Sequence, residues 1–542
     1  MSRTRNPSAI GPALGFFAVT TLAIGAVWWW LGAPIELAPS GTAAGEKLYC
    51  VSYAPFRGGQ DPLVEGTRVE PWQIDEDLAL LSKYTGCVRT YSVDDGLDSV
   101  LESARRHGLK VLHGVWISNN AEKTRRQITT SIALAKSYPD VIAAVIVGNE
   151  VLLRGEMSAT DLIAVIREIK AQVSVPVTYA DVWEYWLRYP DVQSAVDFVT
   201  IHILPYWEDF PIPAAHAAAH VAAIRAKVAA AIPNKQIVIG EFGWPSAGRM
   251  REGARPSPSN QARAVTETLA LAQRENFRVN VIEAFDQSWK RALEGAVGGY
   301  WGIFDRTTGV PKFNLAGGAV SDHPHWPIEA LAGIVVAVLA FAGALAAGRG
   351  KVLSASLWAR VAALTFLPAI LFGWTLETVP VESFSVGSWL RSLAFAVVAA
   401  ASPIVCAGAC AAGRPAPAFA MLGRKVERRD GFDWALGGIL IALMLLAVEA
   451  ALGLIFDPRY RDIPFAPLNA AVWPFLVLMF STPRPGGSRA AAETLAAAML
   501  ASSAGYIVFN EGFANWQSVW FCAGLIGLAV MLARARVAPS LG

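Results

Sequence analysis

The chain carries little charge and few cysteines for its length. Of 542 residues, 46 are Lys or Arg and 44 are Asp or Glu, so charged residues make up 17% and the net charge is +2. A balance this close to zero carries no message about nucleic acid, and no such partner is expected. The five cysteines show no metal-ligand spacing, so no metal is expected, and no cofactor either. What fills the space is apolar: 54% of the residues are hydrophobic and the mean hydropathy is +0.38. That excludes a wholly soluble protein of this size.

The apolar excess is concentrated in residues 13–32 and again beyond about 328, in runs long enough to cross a bilayer. The first run follows Arg3 and Arg5 and closes on Trp28-Trp29-Trp30. Its core is of spanning length and its tryptophans suit an interfacial anchor, which favours an uncleaved signal-anchor over a cleaved signal peptide. About seven further spans follow, near 328–347, 357–376, 388–411, 434–456, 466–481, 490–509 and 516–533. The span 466–481 is short and holds Pro474. Threading them alternately collects Arg349, Lys351, Arg360, Arg414, Arg424, Lys425, Arg428, Arg429, Arg484, Arg489, Arg534 and Arg536 on the amino-terminal side. Arg391, Arg459 and Arg461 fall on the other side, beside Glu377, Glu382, Asp457, Asp462 and Glu511. The positive-inside rule then makes both termini cytoplasmic and exports the segment between the first and second spans. The expected order is a cytoplasmic terminus 1–12, a signal-anchor 13–32, a linker 33–46, a periplasmic domain 47–320, a polytopic bundle 328–534 and a cytoplasmic tail 535–542. The lipid bilayer of a bacterial inner membrane is therefore an expected partner.

The exported segment alternates short apolar runs with amphipathic stretches, the pattern of βα units. Eight runs can be placed, around Cys50, Cys87, Val111, Val145, Val177, Ile201, Ile239 and Val281, with helices between them such as Asp98–His107 and Ser158–Gln172. This is the length and pattern of a closed (β/α)8 TIM barrel in the α/β class. Cys50 and Cys87 sit on the first two strands; an oxidising compartment permits a disulfide there, while strand geometry can forbid it. Cys406, Cys410 and Cys522 fall in membrane segments, where a small hydrophobe is the simpler reading.

Two strand runs end in a glutamate: Val147-Gly148-Asn149-Glu150 on the fourth and Ile239-Gly240-Glu241-Phe242 on the seventh. The carboxyl ends of barrel strands are where such folds carry catalytic groups, and a carboxylate pair is what glycoside cleavage needs. Aromatic residues gather at the same strand ends, among them Tyr53, Tyr91, Trp116, Trp183, Tyr206, Trp207, Trp244, Trp289 and Trp301. Such rings can stack on the C–H faces of sugars, or can simply seal the barrel top. His113 and His202 lie inside strand runs and read as hydrogen-bonded core residues. Asp181 and Glu184 flank this region, either reaching a sugar or lying in solvent.

Four pieces in order resemble glycoside hydrolase family 17, the β-1,3-glucanase family: Val147-Gly148-Asn149-Glu150-Val151-Leu152, Gly240-Glu241-Phe242-Gly243-Trp244-Pro245-Ser246, Phe285-Asp286-Gln287-Ser288-Trp289-Lys290 and Trp301-Gly302-Ile303-Phe304-Asp305. The resemblance spans about residues 47–315 and leaves the membrane region untouched. It implies Glu150 as general acid/base, Glu241 as nucleophile and Asn149 as a contact to the sugar 2-hydroxyl. Tyr53, Tyr206, Trp244, Trp289 and Trp301 become expected substrate contacts, and Glu283, Lys290 and Glu294 supporting residues around the pair or, alternatively, a surface ion pair.

A glycosyl-enzyme can pass to water or to a sugar hydroxyl, and the carboxylates alone do not decide which. The membrane bundle is more than a scavenging hydrolase needs. With it, the chain resembles bacterial membrane-bound family members described as β-(1→6)-glucan synthases. The expected activity is thus a retaining β-glucan transglycosylase that takes β-1,3-glucan donors and forms β-1,6 linkages or branches in linear or cyclic periplasmic glucan. No nucleotide-sugar glycosyltransferase domain is visible, so a separate membrane β-glucan synthase is expected to supply the donor. The alternatives are a membrane-anchored endo-β-1,3-glucanase and a glucan transport or assembly protein with a non-catalytic barrel. Glu449, a carboxylate within an apolar span, is a further candidate for pairing or for a polar path. The outer loops Asp457–Asp462 and Asn510–Gln517 either hold glucan or dress the membrane interface.

Overall fold

The computed structural model describes residues 11–39, 46–416, 418–419, 431–482 and 486–537. Arg3, Arg5, Arg424, Lys425, Arg428, Arg429 and Arg484, together with residues 40–45 of the expected linker and both extreme termini, lie outside the described residues. The chain divides into a barrel unit, Ile35–Ala247 with Gly253–Val320, and a helical unit, Met1–Pro34 with Gly248–Glu252 and Ser321–Gly542.

The barrel unit is a closed ring of eight parallel strands. They are β1 (Cys50–Ser52), β2 (Cys87–Arg89), β3 (Lys110–Val115), β4 (Ile142–Asn149), β5 (Val177–Val182), β6 (Val199–His202), β7 (Ile237–Phe242) and β8 (Val279–Val281). Alternation along each strand divides the core in two. Cys50, Cys87, Leu112, Ala144, Ile146 and Ala180 form one small cluster, while Val51, Val88, Val111, Val145 and Val147 join the larger one shared with the crossover helices. Those helices start where the sequence offers a cap: Asn120, Ser158 and Ser257 each accept a backbone N–H from three residues on. Helices at Val100–Arg106 and Ala159–Lys170 fall inside the stretches expected from periodicity. Ile35–Leu37 pairs antiparallel with Gly318–Val320, so the barrel unit begins before residue 47. Cys50 and Cys87 are joined by a disulfide between neighbouring strands, with Cα atoms 4.3 Å apart.

The helical unit holds α1 (Gly11–Leu31), α2 (Trp326–Ala347), α3 (Ala355–Glu382), α4 (Val386–Ala412), α5 (Gly431–Phe456), α6 (Phe465–Ser481), α7 (Ala491–Glu511) and α8 (Trp516–Arg534). Among the described residues seven of these are long and apolar enough to cross a membrane. The eighth, α6, has 17 residues with Pro474 inside it. Every expected span therefore appears as a helix, and the one flagged as short is the one below spanning length. Small residues allow close packing: a Cβ on Gly333 of α2 would come within 2.5 Å of the Ala369 carbonyl of α3. Of the tryptophan triplet, Trp28 is buried while Trp29 and Trp30 are exposed.

Residues 248–252 pack inside the helical unit. The buried Arg249 guanidinium donates to the Arg461 carbonyl at 3.0 Å, to the Pro458 carbonyl and to Glu511 Oε1 at 2.5 Å. The Met250 N–H donates to Gln517 Oε1, and Asn515 donates to the Met250 carbonyl. The two outer loops thus hold a segment of their own unit. Glu449 is half-exposed, with Arg391 Nη1 3.9 Å away.

Candidate active site

Four strand ends build the site. β2 delivers Arg89 as its last residue, β4 ends in Asn149 with Glu150 next, β6 ends in His202, and β7 carries Glu241 in register with His202. Local backbone sets the first glutamate. Gly148 has φ +86°, and a Cβ there would meet Val151 at 2.5 Å, so only glycine fits. Glu150 itself has φ +54°, a conformation that costs a non-glycine residue about 1–3 kcal/mol and persists where surrounding structure enforces it. The Glu150 N–H donates to the Ala180 carbonyl of β5 at 2.8 Å, which fixes that turn.

One carboxylate oxygen of Glu150, one of Glu241 and an imidazole nitrogen of His202 all lie within 4.8 Å of one another. Three such ligand atoms could in principle share a cation. However, the Arg89 guanidinium stands against two of them, with Nη1 3.0 Å from Glu241 Oε1 and 3.3 Å from His202 Nε2. A fixed positive charge in that place opposes a second one.

The two carboxylates have different surroundings. Glu241 is buried, and burial alone would raise its pKa. His202, Arg89, a hydrogen bond from Tyr91 and the Lys290 charge outweigh burial and hold Glu241 below the ordinary glutamate value. The Tyr91 hydroxyl lies 2.8 Å from both Glu241 Oε1 and Ser52 Oγ. Glu150 is more open, with about a fifth of its side chain exposed, and its Oε1 lies 2.9 Å from His202 Nδ1. An ionised, heavily hydrogen-bonded carboxylate beside a more exposed one is the division of labour that a nucleophile and an acid/base require.

The supporting residues form a second charged group. Lys290 donates to Glu283 Oε1 at 2.9 Å. Burial raises Glu283 to about 7 despite that partner. Burial also raises Glu294, and the charges of Glu150 and Glu241 add to it. This is a buried pair, which settles the surface alternative against solvent exposure. Asp181 is buried too, not a solvated loop carboxylate: burial raises it to about 6 against a hydrogen bond from Tyr179, with the Glu150 charge adding to the rise. Glu184 is half-buried, and desolvation lifts it to about 7.

The expected sugar contacts divide. Asn149 stands in the site, its Oδ1 accepting from Arg89 Nη2 at 2.6 Å. Trp289 is half-buried on the loop after β8, its indole N–H bonded to Gln287. Tyr53, Tyr206 and Trp244 do not present open faces: all three are buried. Tyr53 spends its hydroxyl on Asp77 at 2.9 Å, and Trp244 its N–H on the Arg255 carbonyl at 3.1 Å. Tyr206 is edge-on to Trp207, Trp244 and Trp301. These three rings seal the barrel top, the packing alternative. Trp301 is buried as well, stacked at 11° on the partly exposed Trp207. Sequence reasoning missed Arg89 altogether, placed Tyr91 only among the rim aromatics and read His202 as a core residue. A charged residue closing an apolar strand run, as in Cys87-Val88-Arg89, was the available signal.

A barrel with two carboxylates of unequal burial and hydrogen bonding at the ends of β4 and β7 defines a site of the kind that glycoside cleavage uses. The barrel is similar in sequence to known proteins. Residues 50–302, just under half of the chain, match the family model of the BtgE/BtgC glycoside hydrolase domain. A protein of Aspergillus flavus named "Probable beta-glucosidase btgE" is 30% identical over 264 residues, covering 47% of this chain and 42% of that relative. The chain thus spans less than half the length of this curated relative. The "Glucan 1,3-beta-glucosidase" of Arthroderma benhamiae is 27% identical over 265 residues, covering 44% of this chain and 83% of that protein. Among solved structures, the family 17 β-1,3-glucanosyltransferase of Rhizomucor miehei aligns at 22% identity and a TM-score of 0.44, over 50% of this chain and 98% of that one.

Proposed function

We propose that the protein is a retaining enzyme acting on β-1,3-glucan, with Glu241 as nucleophile and Glu150 as general acid/base. The observation that carries this reading is the approach of the two carboxylates to within 4.8 Å. Retaining enzymes hold their carboxyls about 5–5.5 Å apart, whereas inverting ones need about 6.5–9.5 Å to admit water. The Glu241 carboxylate attacks the anomeric carbon as the glycosidic oxygen takes the proton from Glu150. The resulting Glu150 carboxylate then removes the proton of an incoming hydroxyl, whose oxygen bonds the anomeric carbon and releases Glu241. Asn149, held by Arg89, faces the 2-hydroxyl of the sugar in the cleaved position, with Trp289 as a ring contact.

The same chemistry serves transfer and hydrolysis, and both readings stand. Transfer that forms β-1,6 linkages or branches is supported by the helical bundle, which a scavenging enzyme has no use for. The charge distribution along the spans supports a bacterial inner-membrane location with the barrel in the periplasm and a separate synthase supplying donor glucan. Hydrolysis is supported by the glucosidase names of the relatives that match the barrel. Incubating the purified full chain with a linear β-1,3-oligosaccharide and analysing product linkages separates them. Transfer gives longer products with 1,6 linkages; shorter sugars alone mean a hydrolase.

A further inference from the structure

The Asn149–Glu150 peptide carries the turn from which the proposed acid/base projects, and it is held on both edges. Its N–H donates to the Ala180 carbonyl of β5 at 2.8 Å. Its carbonyl oxygen accepts two bonds from the Arg154 guanidinium, from Nε at 3.2 Å and from Nη2 at 2.9 Å. Nη2 also donates to the Ile117 carbonyl, in the loop after β3, at 3.0 Å. Nη1 donates to Glu156 Oε1 at 2.6 Å, and Glu156 Oε2 accepts the Asn119 N–H of the same loop at 2.7 Å. The guanidinium carbon stands 4.3 Å from the centre of the Trp116 ring. Four of the five N–H groups of this side chain are thus directed at protein acceptors, which is the use of a brace rather than of a sugar ligand.

The brace answers a conformational need. Glu150 has φ +54°, a left-handed conformation that the Cβ of an L-residue disfavours. Two further bonds close the turn: the Arg154 N–H donates to the Glu150 carbonyl at 2.8 Å, and the Leu152 N–H to the Tyr179 hydroxyl at 3.0 Å. The orientation of the Asn149–Glu150 peptide plane and the φ of Glu150 together set the direction of the Glu150 Cβ, and so where its carboxyl stands. A charged donor holds a carbonyl more firmly than a neutral one. We infer that Arg154 is a positioning residue for the acid/base: it fastens the Asn149 carbonyl so that Glu150 keeps its left-handed turn and its carboxyl stays in reach of the glycosidic oxygen. The inference rests on the retaining assignment above and deepens it. Without the guanidinium the peptide plane can rotate and Glu150 can relax to an ordinary negative φ, which swings its carboxyl away from the leaving oxygen. Glu241 is held on β7 by Arg89 and Tyr91 instead. Loss of the brace therefore impairs protonation of the leaving group and spares attack at the anomeric carbon.

The test measures kcat/KM of the full chain on a β-1,3-oligosaccharide and on a dinitrophenyl β-glycoside of a β-1,3-linked disaccharide, whose leaving group needs no proton. Misplacing a catalytic group by about 1 Å costs on the order of 10²-fold. Arg154→Met keeps apolar length on the Trp116 ring. It is expected to show that loss on the oligosaccharide and to stay within about tenfold of wild type on the activated glycoside. Arg154→Lys puts a point charge in place of a planar fork, so the same split is expected at roughly tenfold. The lysine variant carries the test should methionine fail to fold. In a Glu150→Gln background, Arg154→Met is expected to add less than about tenfold, because the group it positions no longer has an acid proton to give. Equal losses on both substrates, or an undiminished loss in the Glu150→Gln background, would overturn the inference while leaving the retaining assignment intact. A Glu150→Gln variant as active as wild type on the oligosaccharide would instead overturn the parent assignment.

Discussion

Arg89 can only donate, and it donates to three acceptors of the site at once: Glu241 Oε1, Asn149 Oδ1 and the Gly240 carbonyl. Together with His202, Tyr91 and Lys290 it holds Glu241, the proposed nucleophile, below the ordinary glutamate value against the upward pull of burial. The direction of a pH effect follows. Glu241 works as a carboxylate and its pKa is held low, so removing a donor raises that pKa and moves the acid limb of kcat/KM to higher pH. Tyr91→Phe removes one hydrogen bond to a charged group, a contribution of about 1.5–3 kcal/mol at most. At roughly 1.4 kcal/mol per pH unit, a shift of about one unit is expected; an acid limb that stays in place would show that Tyr91 does not help ionise Glu241. The two glutamates were legible from their strand-end positions, because a carboxylate closing an apolar run has few structural uses. Arg89 and His202 were not. Each closes an apolar strand run, and one-dimensional patterning cannot show that β2 and β6 bring both side chains to Glu241. Tyr53, Tyr206 and Trp244 failed in the opposite direction, since an aromatic at a strand end has the same sequence signature whether it lines a cleft or plugs the barrel.

At the level of elements, the eight strands were legible because each is a short apolar run between turn residues, and the ring closes through β1 and β8 with no change of strand order. The helical spans were legible by length and hydropathy, with α6 the weakest in both sequence and structure. The disulfide was not, because pairing depends on the register of β1 against β2 and not on the cysteines' sequence separation of 37. Neither was the fate of residues 248–252, which follow the Glu241-Phe242-Gly243-Trp244 motif yet belong to the helical unit. Arg249 is buried there against Glu511, with side chains almost wholly inaccessible. Breaking a buried pair by removing one partner costs about 3–5 kcal/mol, because the remaining charge stays buried. Arg249→Met is therefore expected to lower the thermal unfolding temperature of the detergent-purified chain. A variant that unfolds at the wild-type temperature would show that Glu511 is satisfied without Arg249.

For the molecule as a whole, a barrel carrying a carboxylate pair and a bundle of apolar helices share one chain, and the two were separable by composition alone. What composition could not supply is the acceptor, since water and a sugar hydroxyl meet the same Glu150 carboxylate. The stereochemical course depends on neither acceptor nor membrane; it depends only on the spacing and ionisation of Glu150 and Glu241. The most direct test is proton NMR of the first products formed by the full chain from a β-1,3-glucan oligosaccharide. The retaining assignment predicts that newly released reducing ends, or newly formed linkages, appear first in the β configuration, and that Glu241→Gln abolishes them. An initial α-configured product, or a Glu241→Gln variant as active as wild type, would contradict it.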